Sequence, residues 1–119
     1  MAVLLITHTL GVVAEVADEV HVMYAGRVVE SGSVELLRKP FHPYVKGLLK
    51  ALPRLDGNAE RLEGIEGTVP PLGRRPSGCR FHPRCPQVRA ICKERGPECL
   101  EQGSGHVVAC WACEKGGWA

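Results

Sequence analysis

Six cysteines crowd the C-terminal part of this chain, all between Gly78 and Cys113, in a stretch with few aliphatic side chains. A segment so poor in Leu, Ile and Val cannot be ordered by hydrophobic burial alone and needs a covalent or metal staple. The compartment decides between the two. The longest apolar opening, Ala2 to Ile6, is far short of the ~20 residues of a membrane span, and the start lacks the ordered basic, apolar and small-residue regions of a secretory leader. The chain is therefore expected in the cytosol, where disulfides do not persist, so the cysteines point to metal ligands or free thiols. Only Cys110 and Cys113 form a Cys-x₂-Cys pair; five to ten residues separate the other neighbours. Repeated short knuckles are the mark of a Cys₄ zinc site, and here there is only one. His82 and His106 lie among the cysteines and are expected to be loop residues rather than ligands.

The aliphatic side chains gather instead between Val3 and Leu52, which predicts two unequal parts. Fifteen basic against thirteen acidic residues leave a net charge of +2, with no broad basic field to bind nucleic acid or an anionic membrane. Val3 to Thr7 is a continuous apolar run of the kind found in a central parallel strand with helices on both faces. Leu10 to Val16 is apolar nearly all round, predicting a short buried helix with Thr9 as its N-cap. Val20 to Tyr24 and Arg27 to Glu30 predict a hairpin about Ala25-Gly26. Ser33 is placed to cap a short helix through Arg38, and Pro43 opens another over Tyr44 to Leu52, with Tyr44, Leu48 and Leu52 on one face. Gly and Pro punctuate Pro53 to Pro76, around a charged patch from Glu60 to Glu66, as in a linker with at most one short helix. Trp111 and Trp118 serve equally well as interface anchors or as cover for a small core.

Leu5-Ile6-Thr7-His8, a helix, and then Val22-Met23-Tyr24-Ala25-Gly26-Arg27-Val28-Val29-Glu30 resemble the end of an ABC-transporter ATPase domain. His42-Pro43-Tyr44 with Leu48-Leu49, Gly67-Thr68-Val69-Pro70, and Gly78-Cys79-Arg80-Phe81-His82-Pro83-Arg84-Cys85-Pro86 resemble the C-terminal extension of peptide-importer ATPases. The resemblance runs from about Val3 to Cys110. It implies an α/β fragment, the end of an ABC ATPase domain built of strand, helix, hairpin and helices, followed by a small irregular, metal-stabilised cysteine-rich tail. The implied segments are 1–53 for the ATPase end, 54–77 for the linker and 78–119 for the tail.

The function so implied is that of the ATP-binding subunit of an importer of di- and oligopeptides, with nickel or related solutes as alternative cargo. Its partners would be transmembrane permease subunits, a second ATPase subunit and, indirectly, a solute-binding protein, at the cytoplasmic face of the membrane. No Gly-x-x-x-x-Gly-Lys-Ser/Thr loop and no glycine-rich signature segment is present, so ATP and magnesium are expected only in an intact subunit. Met1 falls where an internal methionine would stand ahead of the strand, and the chain is expected to be a piece of a longer ATPase, the alternatives being a stand-alone metal-binding module of residues 54–119 and a non-functional remnant. Asp18-Glu19 imitates a magnesium-binding acidic pair but follows the histidine, and is expected to be a solvated helix end.

In the resembled family His8 is the switch histidine, hydrogen-bonding the γ-phosphate and the attacking water; Thr9 departs from the Asp usual after it. Cys79, Cys85, Cys92 and Cys110 match the four cysteines that hold a four-iron, four-sulfur cluster in the family's tail, with zinc as the alternative metal. Cys113 is a substitute ligand for Cys110, Cys99 is extra, and Arg80, Arg84, Arg89 and Lys93 are expected to offset the cluster's charge. His42-Pro43-Tyr44 needs no ligand to explain it: proline suits a helix start and the tyrosine covers a helix face.

Overall fold

A computed structural model of the chain describes residues 1–52, 65 and 67–116. Trp118 and all of the charged stretch 60–66 except Ile65, with any short helix there, lie outside the described residues. Helix α1 spans Leu10–Val16, strands β1 and β2 span Glu19–Tyr24 and Arg27–Ser33, and helix α2 spans Pro43–Lys50; the tail adds α3 (Ala90–Glu94), β3 (Leu100–Glu101) and β4 (Val107–Val108). The four strands form one antiparallel sheet in the order β1-β2-β4-β3. The arrangement is a small α/β one, compatible with the end of an ABC ATPase domain.

The hairpin forms where the sequence places it. Ala25 and Gly26 both have positive φ, +49° and +80°, the combination whose twist matches that of the flanking strands. On β1 the alternation is regular, with Val20, Val22 and Tyr24 buried and Glu19, His21 and Met23 exposed. On β2 it breaks: Val22 faces Glu30 and Met23 faces Val28, leaving Val29 as the extra residue of a bulge. A regular strand would point one of two consecutive residues to solvent. The bulge lets both Val29 and Glu30 go inside, at 6% and 0% exposure.

Glu30 then organises the interior. Its carboxylate accepts hydrogen bonds from the backbone N–H groups of Phe41, at 3.1 Å, and His42, at 3.0 Å. It also accepts one from His106 Nε2. Three distant segments therefore meet on one buried side chain. β4 continues the same junction, because Val108 faces Glu30 across the sheet and the Ala109 N–H donates to the carbonyl of the bulged Val29 at 2.8 Å.

His42 is the N-cap of α2, its Nδ1 accepting the Tyr44 N–H at 3.0 Å, with Pro43 in the first turn. Burying this helix start brings Tyr44 beside Tyr24 (ring centroids 4.7 Å apart) and both against Phe81 of the tail (5.5 and 5.2 Å). Edge-to-face and tilted pairs at such distances contribute about 0.5–1.5 kcal/mol each beyond burial. Phe81 thus belongs to the same core as Val20, Val22, Val29, Leu36 and Val45. The tail packs on the hairpin through a shared core as well as a shared sheet.

Two expectations fail at the N-terminus. Val3 to Thr7 is not a strand, and Val3, Leu4 and Ile6 are 76%, 88% and 90% exposed. A parallel strand exists only by pairing with neighbours, and among the described residues the sheet is wholly antiparallel and offers this run no partner. Helix α1 forms as expected but is not buried; only its Val13 packs against the core. Thr9 occupies the cap position without a side-chain cap bond. Asp18 and Glu19 lie beyond the helix, the Asp18 carbonyl accepting from Val34 N–H and Glu19 opening β1 beside His21.

Burial of His42, reinforced by the charge of Lys46, lowers its pKa from 6.5 to about 4. Below pH 6.5 the unfolded chain takes up a proton at this residue that the folded chain refuses until about pH 4. The contribution of His42 to stability is therefore complete above pH 6.5 and declines as the pH falls to 4, by roughly 3 kcal/mol. Denaturant titrations between these pH values should show that decline, and His42→Asn, which can still cap α2, should flatten it. An unchanged slope in the variant would exclude His42 as the source.

Candidate functional site

Cys79, Cys85, Cys92 and Cys110 line one small cavity, closed in by His42, Phe81 and Trp111. Each thiol arrives from a different local structure. Gly78 turns the chain into Cys79 with φ of +75°, where a β-carbon would run into the Cys92 carbonyl and the Lys93 backbone. The Cys79 N–H donates to that Cys92 carbonyl at 2.7 Å, fixing the first thiol against α3, which carries the third. A 3₁₀ turn at His82–Arg84, held by the Cys79 carbonyl through His82 Nδ1 at 2.8 Å, delivers Cys85. Cys110 follows β4, so its position depends on the sheet pairing with β2.

The thiols lie within one another's electrostatic reach. Burial raises the pKa of Cys79, and the nearness of Cys110 and Cys92 adds to it. Burial likewise pushes Cys85 up to about 11, helped by Cys110, Cys79 and Cys92. Cys110 is lowered to about 7, chiefly by a hydrogen bond from the Cys113 thiol, with Lys46 contributing. Cys113 is raised, first by the same bond and then by burial. A bound cation would reverse this balance, since it favours thiolate at every ligand.

The donor set can be tested against the metal expected for it. Among the described residues no three His, Cys, Asp or Glu side chains are arranged to hold one metal ion, which would require sulfurs about 3.8 Å apart at tetrahedral Zn–S distances of 2.3 Å. Yet four thiols share a cavity. Four thiolates are the full ligand set of either a Cys₄ zinc site or a four-iron cluster. The cavity has room for about one water, at about 10 Å³, so the thiols would have to move outward to admit a cluster.

Other site residues are distributed differently. His8 is exposed, in a bend just before α1, and does not line the cysteine cavity. Cys99 is exposed and also outside it. His82 lines the cavity, whereas His106 is bonded to Glu30. Arg80 and Arg84 both reach the hairpin: Arg80 Nη1 donates to the Ala25 carbonyl at 2.6 Å, and Arg84 Nη1 donates to the Tyr24 hydroxyl at 3.3 Å. Lys46 of α2 acts on both Cys110 and Cys113, and sequence reasoning missed it. Its one signal is its place a turn after His42, the residue that buries the helix start. Lys46, Phe41, Arg89 and Cys113 line an open cleft of about 480 Å³.

Comparison with known proteins accounts for this combination of hairpin, His-Pro-Tyr helix and cysteine tail. Residues 29–92 match the family described as "Oligopeptide/dipeptide transporter, C-terminal region". The chain is 47% identical over 117 residues to the oligopeptide transport ATP-binding protein AppD of Bacillus subtilis (strain 168), covering 98% of this chain and 36% of that protein. It is 47% identical over 112 residues to the dipeptide transport ATP-binding protein DppD of the same organism, covering 93% and 33%. A putative peptide import ATP-binding protein of Brucella abortus (strain 2308) is 49% identical over 98 residues, covering 82% and 30%. The chain spans about a third of the length of these curated relatives. The matched segment runs from the bulged residue Val29 through Glu30 and the His-Pro-Tyr helix to Cys92, and the chain belongs to the oligopeptide/dipeptide transporter C-terminal region family.

Proposed function

We propose that this chain is the C-terminal part of an ATP-binding subunit that couples ATP hydrolysis to peptide uptake, and that its tail holds a four-iron, four-sulfur cluster on Cys79, Cys85, Cys92 and Cys110. The first part is supported by the relatives, whose names describe peptide transport ATP-binding proteins. In the intact subunit His8 hydrogen-bonds the γ-phosphate and orients the attacking water, while the phosphate loop and magnesium ligands come from segments this sequence lacks. Permease subunits, a second ATPase subunit and a position at the cytoplasmic face of the membrane follow from the same reading. Among the described residues no helix is long and apolar enough to cross a membrane.

The observation that carries the cluster reading is the convergence of four thiols from four separate local structures on one cavity. Such a cluster supplies covalent ties between those structures and a one-electron couple. The chain's own residues do the rest: Gly78 and the Cys79–Cys92 backbone bond set two ligands, the Glu30-anchored sheet sets Cys110, and Phe81 and Trp111 limit water. The stand-alone module of residues 54–119 is disfavoured, because β4 pairs with β2 and Phe81 packs in the hairpin core.

Anaerobically purified protein should be brown, with broad visible absorption and about four irons per chain. Serine at Cys79, Cys85 or Cys92 should abolish the colour, Cys110→Ser should be milder because Cys113 stands beside it, and Cys99→Ser should change nothing. Stoichiometric zinc with negligible iron in iron-supplemented cells would overturn the cluster. In the full-length subunit, His8→Ala should slow ATP hydrolysis by roughly 100-fold or more while leaving nucleotide affinity largely intact. Equal loss of affinity and turnover would argue against the switch role.

A further inference from the structure

Cys113 occupies a position that the four-thiol site does not explain. It lines the open cleft of about 480 Å³ together with Lys46 and Phe41, whereas its neighbour Cys110 lines the inner cavity. The two are joined by a backbone bond from Cys113 N–H to the Cys110 carbonyl at 3.1 Å, at the start of a 3₁₀ helix over Trp111–Gly116. In a 3₁₀ turn residues i and i+3 are eclipsed, with a rise of about 2 Å per residue. Their Cα atoms are thus about 6 Å apart, inside the range of about 4.4–6.8 Å that a disulfide bridges without moving the backbone. Each thiol acts on the ionisation of the other, as two sulfurs at close range do. Both are half-buried rather than sealed.

We infer that Cys110 and Cys113 form a dithiol–disulfide couple, oxidised by a small anionic disulfide that enters through the Lys46-bearing cleft. One of the two, as thiolate, attacks a sulfur of the small disulfide; the reagent's S–S bond breaks, a mixed disulfide forms and one small thiolate leaves. The second cysteine attacks the protein sulfur of the mixed disulfide, forming the Cys110–Cys113 bond and expelling the other small thiolate. Both leaving thiolates take up the protons released by the two cysteines. Two electrons pass from the protein to the reagent. Closure withdraws Cys110 from the inner cavity. On the cluster reading above, bridge and cluster then compete for Cys110, but the couple itself needs no metal.

The test uses the full chain, reduced, treated with a chelator and checked for folding by the near-ultraviolet signal of its packed aromatic residues. Glutathione disulfide is the anionic probe and hydroxyethyl disulfide the neutral one, and peptide mapping locates the linkages. The Cys110–Cys113 bridge should be the principal product in the folded chain, although Cys99 is the more exposed thiol. In urea the linkages should scatter over all six cysteines. Lys46→Glu should slow bridging by glutathione disulfide roughly three- to ten-fold relative to hydroxyethyl disulfide. Folded chain that is oxidised at Cys99 while Cys110 and Cys113 stay reduced would overturn the couple. Equal slowing with both probes would overturn the anionic reagent. Because the chain carries no metal in this experiment, failure to load iron decides neither result.

Discussion

A carboxylate with no exposed surface is costly unless its oxygens are satisfied, and the acceptors of Glu30 are met by Phe41 N–H, His42 N–H and His106 Nε2. Those partners belong to the loop before α2 and to the turn before β4. Once the bulge at Val29 has carried Glu30 inside, the chain is committed to bringing both segments onto the hairpin. The alternative is a buried charge without partners, worth about 3–5 kcal/mol against the fold. The positions of His42, α2 and β4 all follow.

The candidate site inherits this constraint. Cys110 is set by β4, which pairs with β2 at Glu30 itself. His42, which closes one side of the thiol cavity, is held by the same carboxylate, and Phe81 lies 5.6 Å from its ring. Lys46, one turn into α2, brings positive charge to Cys110 and Cys113 because the helix start is pinned. A tail that looks self-contained in composition is thus assembled against residues far upstream, on the hairpin and α2.

Much of this was visible in the sequence, for specific reasons. Alternating Val20, Val22 and Tyr24 on one side of Ala25-Gly26 made the hairpin legible, and Pro43 after His42 marked the start of α2. The bulge was not legible, because Val28-Val29-Glu30 is as compatible with a regular strand as with one extra residue. Glu30 therefore passed as a polar strand end and His106 as a loop residue, when they are bonded to each other. The apolar run Val3 to Thr7 has the composition of a central strand, but pairing depends on neighbours that composition does not report. The cysteines were legible as a set, and the cations expected to face them were Arg80, Arg84, Arg89 and Lys93, close in sequence, whereas Lys46, which acts on Cys110 and Cys113, comes from α2.

Native-state hydrogen exchange on Glu30→Ala tests this dependence most directly. The amides of Phe41 and His42 lose their acceptor in the variant, while those of Cys79 and Ala109 keep theirs, the carbonyls of Cys92 and Val29. If Glu30 couples hairpin, helix and tail, Cys79 and Ala109 should lose protection as well, by a common amount of about 3 kcal/mol. Loss confined to Phe41 and His42, with the tail amides as protected as before, would contradict the account.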